Sequence, residues 1–509
     1  MRARTALLVV GAATAGALTV AALLERVGRS GTVADGRAPS LATSRAGRTG
    51  TVAGMTARAG ADYAATRARG ALASPQRRAE LQAAFELRTA EQVAERLGHM
   101  KGALMKLGQM ASYLDQGLPE PVREALADLQ SDAPPMSAEL AASVVSEELG
   151  DDPATVFASW EEVPIASASI GQVHRAVTMD GREVAVKVQY PGVAEAISAD
   201  LSNTDSLFAM LGMLFPGLDP EPIVEELSER VLEELDYRRE ASNQSLFAAA
   251  YDGHPYIHVP AVLHDLSSAR VLTTELASGA RFAEVLHWPD GERQLAAETI
   301  YRFVFGSIYE LGAFNGDPHP GNYLFRPGGE VTFLDFGLCK RFRPEELAQF
   351  EAMITTLVLQ RDPRAFKDLI EQIGILPPGS PFSDRQILEY FGHFYDFVME
   401  DEVREMTPEY SSESVRRFFD LSGEHKAIMK AANLPPSMVI IQRINLGLYA
   451  LFGDLGASNN WRRLAEETWP FVEADVATPM GERIAQWEAR RGDPAGSLHE
   501  ADRTAQDRS

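Results

Sequence analysis

The segment FNGDPHPGNYLFRPGGEVTFLDFG, residues 314–337, limits the possible folds of the chain more than any other stretch. It predicts an apolar strand at Tyr323–Phe325, a turn rich in glycine, and a second strand at Val331–Leu334. Folding this hairpin back brings Asn322 and Asp335 to the same end. Their side-chain oxygens are the ligand type that Mg²⁺ prefers, so the segment predicts a magnesium site there.

Asp317 precedes this hairpin in the loop Asp-Pro-His-Pro-Gly-Asn. Beside bound metal, its carboxylate is placed to accept a proton from an attacking nucleophile. The plainer alternative is that the loop is only a turn and that Asp335-Phe-Gly only ends a strand. An upstream strand lysine in the order used by kinases favours the catalytic interpretation.

That lysine is Lys187, in the segment ASASIGQVHRAVTMDGREVAVKVQYP. Asp180-Gly181 predicts a tight hairpin between two strands rich in valine. Small residues before the first strand would let backbone N–H groups approach phosphates closely, although such turns are also common without a ligand. The candidate phosphate loop is Ala166, Ser167, Ala168, Ser169, Ile170 and Gly171.

A kinase-type site also needs a glutamate to hold its strand lysine. The helical pattern PEPIVEELSERVLEELDYRREASN offers Glu234, Asp236 and Glu240, although glutamate-rich helices are most often solvated surfaces. A later strand ends at Glu275-Leu276-Ala277, where a kinase has its adenine-binding linker, so Glu275 and Ala277 are candidate nucleotide contacts.

The sequence at this point resembles the UbiB/AarF (ADCK-type) atypical kinase-like family over about residues 78–469. The resemblance is carried by six motifs: Lys106-Leu-Gly-Gln109, the alanine-rich loop with Gln-Val-His, Val-Ala-Val-Lys187, Glu234-Leu-Asp236-Tyr-x-x-Glu240-Ala-x-Asn243, Asp317-Pro-His-Pro-Gly-Asn322 and Asp335-Phe-Gly.

The resemblance assigns roles to individual residues. It implies that Lys187 contacts the α- and β-phosphates of ATP and pairs with Glu240. It also implies that Lys106 and Gln109 lie across the usual substrate site, facing Glu234 and Asp236. Without the family, Lys106 and Gln109 would be ordinary residues on a helix surface.

For the whole chain, the resemblance implies an α+β, protein-kinase-like two-lobed fold with an N-terminal helical extension. It implies an Mg²⁺- and ATP-dependent kinase or ATPase that supports the metabolism of quinones or other isoprenoid lipids. A lipid or quinone-precursor ligand and quinone-biosynthesis enzymes are the partners expected. The alternatives are a true protein kinase and an ATP-binding scaffold with little turnover.

Two features bear on substrate. A helical pattern resumes at Pro344, soon after Asp335-Phe-Gly, and no Ala-Pro-Glu motif follows. Gly316 stands where many protein kinases carry a regulatory arginine before the catalytic aspartate. A platform for peptide docking is therefore not expected.

Composition limits the class further. The net charge of −24 argues against a nucleic-acid partner, and the single cysteine, Cys339, excludes an intrachain disulfide framework. The acidic balance is uneven, because the first 60 residues contain eight arginines but only Glu25 and Asp35 as acids.

The uncharged run Ala6–Leu24 has nineteen residues, or about 28 Å of helix, which is enough to cross a bilayer core. More arginines follow the run than precede it, so a membrane anchor would leave the catalytic part in the cytoplasm. The alternatives for this run are a cleaved signal peptide and an organelle transit peptide. The alternative location for the protein is soluble, in the cytoplasm or in an organelle.

These patterns together divide the chain into six parts. They are a transmembrane anchor or signal (1–24), a flexible linker (25–75), a helical extension (76–150), an N-lobe (151–276), a C-lobe (277–475) and a polar, frayed tail (476–509).

Overall fold

The computed structural model describes residues 136–168, 170–193, 235–316, 318–407, 409–410, 413, 426–432 and 436–491. Several predicted parts lie outside these ranges: the N-terminal run, the linker, most of the helical extension, and Lys106, Gln109, Ser169, Glu234 and Asp317. Among the described residues, no helix combines the length and apolar character needed to cross a membrane.

A five-stranded antiparallel sheet forms the first layer. Its strands are β1 (Phe157–Trp160), β2 (Ala166–Ala168), β3 (Gly171–Thr178), β4 (Glu183–Gln189) and β6 (Val271–Glu275), and β5 (Ile257–His258) belongs to another sheet. The turn between β3 and β4 has Gly181 at a φ of +88°, a conformation that glycine adopts without strain. The predicted hairpin around Asp180-Gly181 therefore forms, with Lys187 opposite Val173 on one side and Leu272 on the other.

Among the described residues, three helices belong to this half of the molecule: α1 (Ala138–Leu149), the short α2 (Pro153–Val156) and α3 (Tyr237–Ala250). Val144 and Val145 of α1 pack into the same apolar cluster as Val184 and Val186 of β4. Helix α1 lies within the predicted helical extension, which ends at residue 150. In the structure, however, α1 is part of the N-lobe core.

The C-lobe is mainly helical. Its helices are α4 (Phe282–Val285), α5 (Asp290–Glu310), α6 (Pro344–Ile354), α7 (Pro363–Gln372), α8 (Asp384–Phe391), α9 (Asp396–Met399), α10 (Lys426–Ala431), α11 (Pro436–Leu455), α12 (Trp461–Thr468) and α13 (Pro479–Arg491). Helix α5 lies at the centre, and the Phe303 ring stacks on Phe333 with centroids 3.6 Å apart. This mixture of helices and sheets confirms the predicted kinase-like α+β fold.

Short strands hold the loops of the C-lobe in place. They are β7 (Ala313–Asn315), β8 (Tyr323–Arg326), β9 (Glu330–Phe333), β10 (Cys339–Arg341), β11 (Arg404–Glu405) and β12 (Ser458–Asn459). Strands β8 and β9 form the predicted hairpin, with Tyr323 opposite Phe333. Strand β7 pairs with β10, which anchors the backbone just before Gly316 and just after Leu338.

The long helical pattern at 345–373 is interrupted in the structure. After α6 the backbone widens into a π-helical turn at Thr355–Leu359, and Arg361 takes a left-handed φ of 54° before α7 begins. The Arg361 guanidinium donates to the carbonyl of Met399, 2.7 Å away, which compensates for this backbone conformation.

The prediction of a frayed tail from residue 476 is wrong for Pro479–Arg491. These residues form α13, where Met480 is 2% exposed and the Trp487 indole donates to the carbonyl of Asp252 at 3.2 Å. The charged composition of this stretch concealed an apolar stripe of Met480, Ile484 and Trp487 at helical spacing.

His254 packs against this helix and gives stability a pH dependence. Burial, with the nearby cations Arg302 and Arg491, lowers the pKa of His254 from 6.5 to about 3. Below about pH 6.5, the His254 side chain binds a proton in the unfolded chain but not in the folded one. The contribution of His254 to the free energy of unfolding is therefore fully present above that pH and is lost as the pH falls towards 3. We expect the titration of His254 to lower the free energy of unfolding by about 2 kcal/mol between pH 7 and pH 5.

Urea unfolding at pH 7, 6 and 5 measures this loss, and His254→Gln should have a flatter pH profile than the parent protein. If the free energy of unfolding changed equally with pH in the two proteins, His254 would not titrate differently in the folded and unfolded states.

Candidate active site

Lys187 and Glu240 form a buried ion pair between β4 and α3. The ammonium Nζ lies 2.9 Å from both carboxylate oxygens of Glu240, and Glu240 is only 4% exposed. The two residues are 53 positions apart in sequence. The ammonium also lies 5.0 Å from the ring centroid of Tyr237, a cation–π contact that adds to its fixation. The pairing implied by the family resemblance is present in this geometry.

Asp335 completes a triangle around the lysine, with its Oδ2 3.4 Å from Nζ. Burial by itself would lower the pKa of Lys187, but the carboxylates of Asp335 and Glu240 outweigh it and hold the pKa well above its usual value. Lys187 is therefore a permanent cation between two acidic groups. Such a charge is suited to binding phosphate oxygens.

The hairpin brings Asn322 and Asp335 to the same end, as predicted from its sequence. The N–H of Leu334 donates to the carbonyl of Asn322 at 3.0 Å, so the backbones of Asn322 and Asp335 run side by side. The N–H of Gly337 donates to Oδ1 of Asp335 at 2.9 Å, and Asn315 Nδ2 donates to the Asp335 carbonyl at 2.8 Å. A carboxylate and an amide oxygen at one end of a hairpin fit the hard oxygen ligands of Mg²⁺.

Asp317 lies outside the described residues, but the backbone immediately before it is well defined. The N–H of Gly316 donates to the carbonyl of Leu338 at 2.6 Å, and a Cβ at Gly316 would lie only 2.8 Å from that oxygen. Any side chain here would disturb the β7–β10 connection. The arginine that many protein kinases carry at this position therefore has no room.

The sequence did not reveal that α3 is tied to the Asp335-Phe-Gly segment. Asn243 Nδ2 donates to the carbonyl of Phe336 at 3.2 Å, and the rings of Phe247 and Phe336 lie 5.1 Å apart. Phe336 is fully buried. The helix that carries Glu240 and the strand end that carries Asp335 are thus held together by a polar and an aromatic contact.

The candidate phosphate loop lies beside this triangle. Ala166–Ala168 form β2, Ile170 is buried, and Ser169 lies outside the described residues. A Cβ on Gly171 would come within 2.3 Å of the Val188 carbonyl and 2.9 Å of the Tyr237 hydroxyl. Glycine is required there because β3, β4 and α3 meet at that point.

The remaining candidates divide into three groups. Glu275 ends β6 and its carboxylate lies 3.4 Å from His258 Nε2, while Ala277 follows in the segment that joins the two lobes. Asp236 caps α3, accepting from the N–H of Arg238 at 3.0 Å, which is a structural role. Lys106, Gln109 and Glu234 lie outside the described residues, so the implied position of Lys106 and Gln109, facing Glu234 and Asp236, remains a prediction.

Cys339 lies close to the same acidic groups. Burial, together with the charges of Asp335 and Glu240, raises the pKa of its thiol well above the usual value. The thiol therefore stays protonated and is a poor nucleophile. Its position two residues after Gly337 makes it part of the packing behind the site.

The segment after Asp335-Phe-Gly is short. Strand β10 begins at Cys339 and α6 begins at Pro344, with Arg343 as its N-cap residue. In typical protein kinases a long activation segment occupies this part of the chain.

Comparison with known proteins agrees with this geometry. Residues 128–369 match the sequence model of the ABC1 atypical kinase-like domain. The rat protein named atypical kinase COQ8B, mitochondrial, is 37% identical over 258 residues, which cover 50% of this chain and 49% of that protein. The yeast protein named atypical kinase COQ8, mitochondrial, is 28% identical over 288 residues, covering 56% and 57%.

A solved structure also matches this chain. Rv3197 from Mycobacterium tuberculosis, determined in complex with erythromycin, is 33% identical with a TM-score of 0.57, and the match covers 77% of this chain and 99% of that one. The chain spans about half the length of the curated relatives that it matches first. The fold, the motif order and these matches together show that the chain belongs to the ABC1 atypical kinase-like family, the UbiB/COQ8 type.

Proposed function

We propose that this chain is an Mg²⁺- and ATP-dependent atypical kinase or ATPase that acts in quinone or other isoprenoid-lipid metabolism at a membrane. The observation that carries the nucleotide part is the triangle of Lys187, Glu240 and Asp335. It places a permanent, buried cation 2.9 Å from one carboxylate and 3.4 Å from another. Such an arrangement serves to orient the phosphates of a nucleotide.

In the proposed reaction, Lys187 binds the α- and β-phosphates, while Asn322 and Asp335 hold Mg²⁺. Mg²⁺ would neutralise the charge that develops on the phosphate oxygens. Asp317 would accept the proton of an attacking hydroxyl or water while that oxygen forms a bond to the γ-phosphorus. The bond from the γ-phosphorus to the β–γ bridging oxygen breaks, so that ADP leaves and the phosphoryl group remains on the attacking oxygen. The alanine-rich loop, with Glu275 and Ala277, would contact the remainder of the nucleotide.

A small or lipid acceptor, or water, is a better candidate than a peptide. Only the five residues Leu338–Phe342 separate Gly337 from the N-cap Arg343 of α6, too few for the platform on which protein kinases bind peptides. We further propose that Lys106 and Gln109 cover the site from the N-terminal extension, opposite Glu234 and Asp236. A covered site would exclude bulky protein substrates.

The lipid part of the proposal draws on the relatives. The rat and yeast relatives carry COQ8 names and are described as mitochondrial, and an Arabidopsis relative is described as chloroplastic. The apolar run Ala6–Leu24 supplies a candidate membrane tether. Sedimentation of full-length protein with membranes, compared with a variant lacking residues 1–30, tests this tether, and an equal soluble fraction for both would exclude it.

ATP turnover by the purified protein separates the three functional candidates. We expect Mg²⁺-dependent release of phosphate from ATP, increased by vesicles that contain isoprenoid lipid, and little transfer to added protein. Efficient transfer to a protein substrate would instead identify a protein kinase. Nucleotide binding with no turnover under any of these conditions would identify a scaffold.

A further inference from the structure

Helix α13 begins against the turn of the β8–β9 hairpin. The methyl carbon of Met480 lies 3.2 Å from where a Cβ on Gly329 would be, and the Thr299 hydroxyl donates to the Gly329 carbonyl at 2.7 Å. Met480 is 2% exposed. The first turn of α13 is therefore packed onto the same hairpin whose opposite end presents Asn322 and Asp335.

A buried charge network fixes this first turn. The Arg302 guanidinium lies 2.9 Å from carboxylate oxygens of both Glu298 and Glu467. The Thr478 hydroxyl donates to Glu298 at 2.6 Å and accepts from the N–H of Gly481 at 3.0 Å. A Cβ on Gly481 would lie 2.4 Å from Glu467, so the helix cannot approach in this way with a larger residue.

The other end of α13 holds the end of the helix that carries Glu240. The Arg491 guanidinium donates to the carbonyl of Ala249 at 2.6 Å and to that of Ala250, the last residue of α3. It also lies 5.0 Å from the Trp487 ring, whose indole donates to the Asp252 carbonyl. A cation at the carboxyl end of a helix satisfies open carbonyls and opposes the negative end of the helix dipole.

We propose that α13 is a strut between the metal-binding hairpin and the Glu240 helix, with Arg491 and Trp487 as positioning residues for the Lys187–Glu240 pair. Glu240 lies in the first turn of α3 and Arg491 binds its last residues, about 15 Å further along the helix axis. A tilt of α3 at its held end would move Glu240 away from Lys187. The part that the Lys187–Glu240 pair plays in ATP turnover rests on the proposed function, whereas its positioning by α13 does not.

The reactivity of Lys187 measures this positioning without any nucleotide. Trace labelling of the full chain with acetic anhydride, read by peptide mass spectrometry, reports how often the amine leaves its ion pair. In Arg491→Ala we expect Lys187 to label about fivefold faster, together with faster hydrogen exchange in residues 241–250. Arg491→Lys keeps the charge and should remain within about twofold of the parent protein.

Arg490→Ala is the matched control. It removes a neighbouring arginine of the same helix, whose Nε donates to the carbonyl of Gln486 within α13. The labelling of Lys187 should therefore be unchanged in this variant. Glu240→Gln is the positive control, because it weakens the pair directly.

Equal labelling of Lys187 in Arg491→Ala and Arg490→Ala would overturn the strut. If Arg491→Ala fails to fold, Trp487→Phe takes its place, since it removes the indole N–H but keeps an aromatic ring. The labelling rate of Lys187 in Trp487→Phe is then compared with the rate in Arg490→Ala. A parent protein without ATP turnover would refute the proposed function, and the labelling results would still decide on the strut.

Discussion

Replacement of Asp335 by asparagine is expected to weaken Mg²⁺-dependent nucleotide binding severely while leaving the fold intact. Asparagine can still accept from the N–H of Gly337 through its Oδ1, so the local turn is kept. The charge that would hold the metal is lost, and so is one of the two carboxylates beside Lys187. Removing one partner of a buried charge pair typically costs about 2–5 kcal/mol, so we expect affinity for Mg²⁺-ATP to fall about 30-fold or more.

The shift of the thermal midpoint on adding Mg²⁺-ATP measures this loss. Asp475→Asn removes the same charge from an exposed position and serves as the control. A nucleotide-induced shift of equal size in Asp335→Asn and in the parent protein would remove Asp335 from the metal site.

The largest effect on stability is expected from Arg302→Ala. Arg302 is 7% exposed and stands between Glu298 and Glu467, whose side chains are also nearly buried. The substitution strands two buried carboxylates without a cation, which typically costs about 3–5 kcal/mol of unfolding free energy.

The loss in free energy of unfolding is measured by denaturant unfolding of Arg302→Ala and compared with the loss in Arg385→Ala. Arg385 pairs with Glu389 on an exposed surface, where a salt bridge contributes about 0–1 kcal/mol. Losses of similar size in the two variants would mean that the buried network does not stabilise the fold as described.

Local sequence signals predicted much of the site. Asp180-Gly181 predicts the β3–β4 turn because its backbone favours glycine, and the alternation around Pro327-Gly328-Gly329 predicts the hairpin that aligns Asn322 with Asp335. These signals are local because a hairpin turn determines its own register.

Contacts between distant elements were not predictable in the same way. Sequence spacing alone could not identify Glu240, among the acidic residues of its helix, as the partner of Lys187. The family resemblance identified it. The contact from Asn243 to Phe336 joins residues 93 positions apart, and that from Arg491 to Ala250 joins residues 241 apart. A side chain that donates to a remote carbonyl leaves no periodic pattern in the sequence.

Helix α13 was missed for a related reason. Its composition is dominated by charged residues, and its apolar stripe is only one residue wide, so it is typical of a solvated tail. Its docking depends on the Arg302 network and on carbonyls at the end of α3, which are features of the folded molecule alone.

The central claim is that Lys187, Asn322 and Asp335 together bind Mg²⁺-ATP. Titration calorimetry of the parent protein with ATP, in Mg²⁺ and in excess EDTA, tests it most directly. We predict saturable binding of one ATP per chain in Mg²⁺. Binding should weaken at least tenfold in EDTA, since Asn322 and Asp335 would hold the metal that offsets the charge of the phosphates. Absence of binding in Mg²⁺, or equal affinity in EDTA, would contradict the claim.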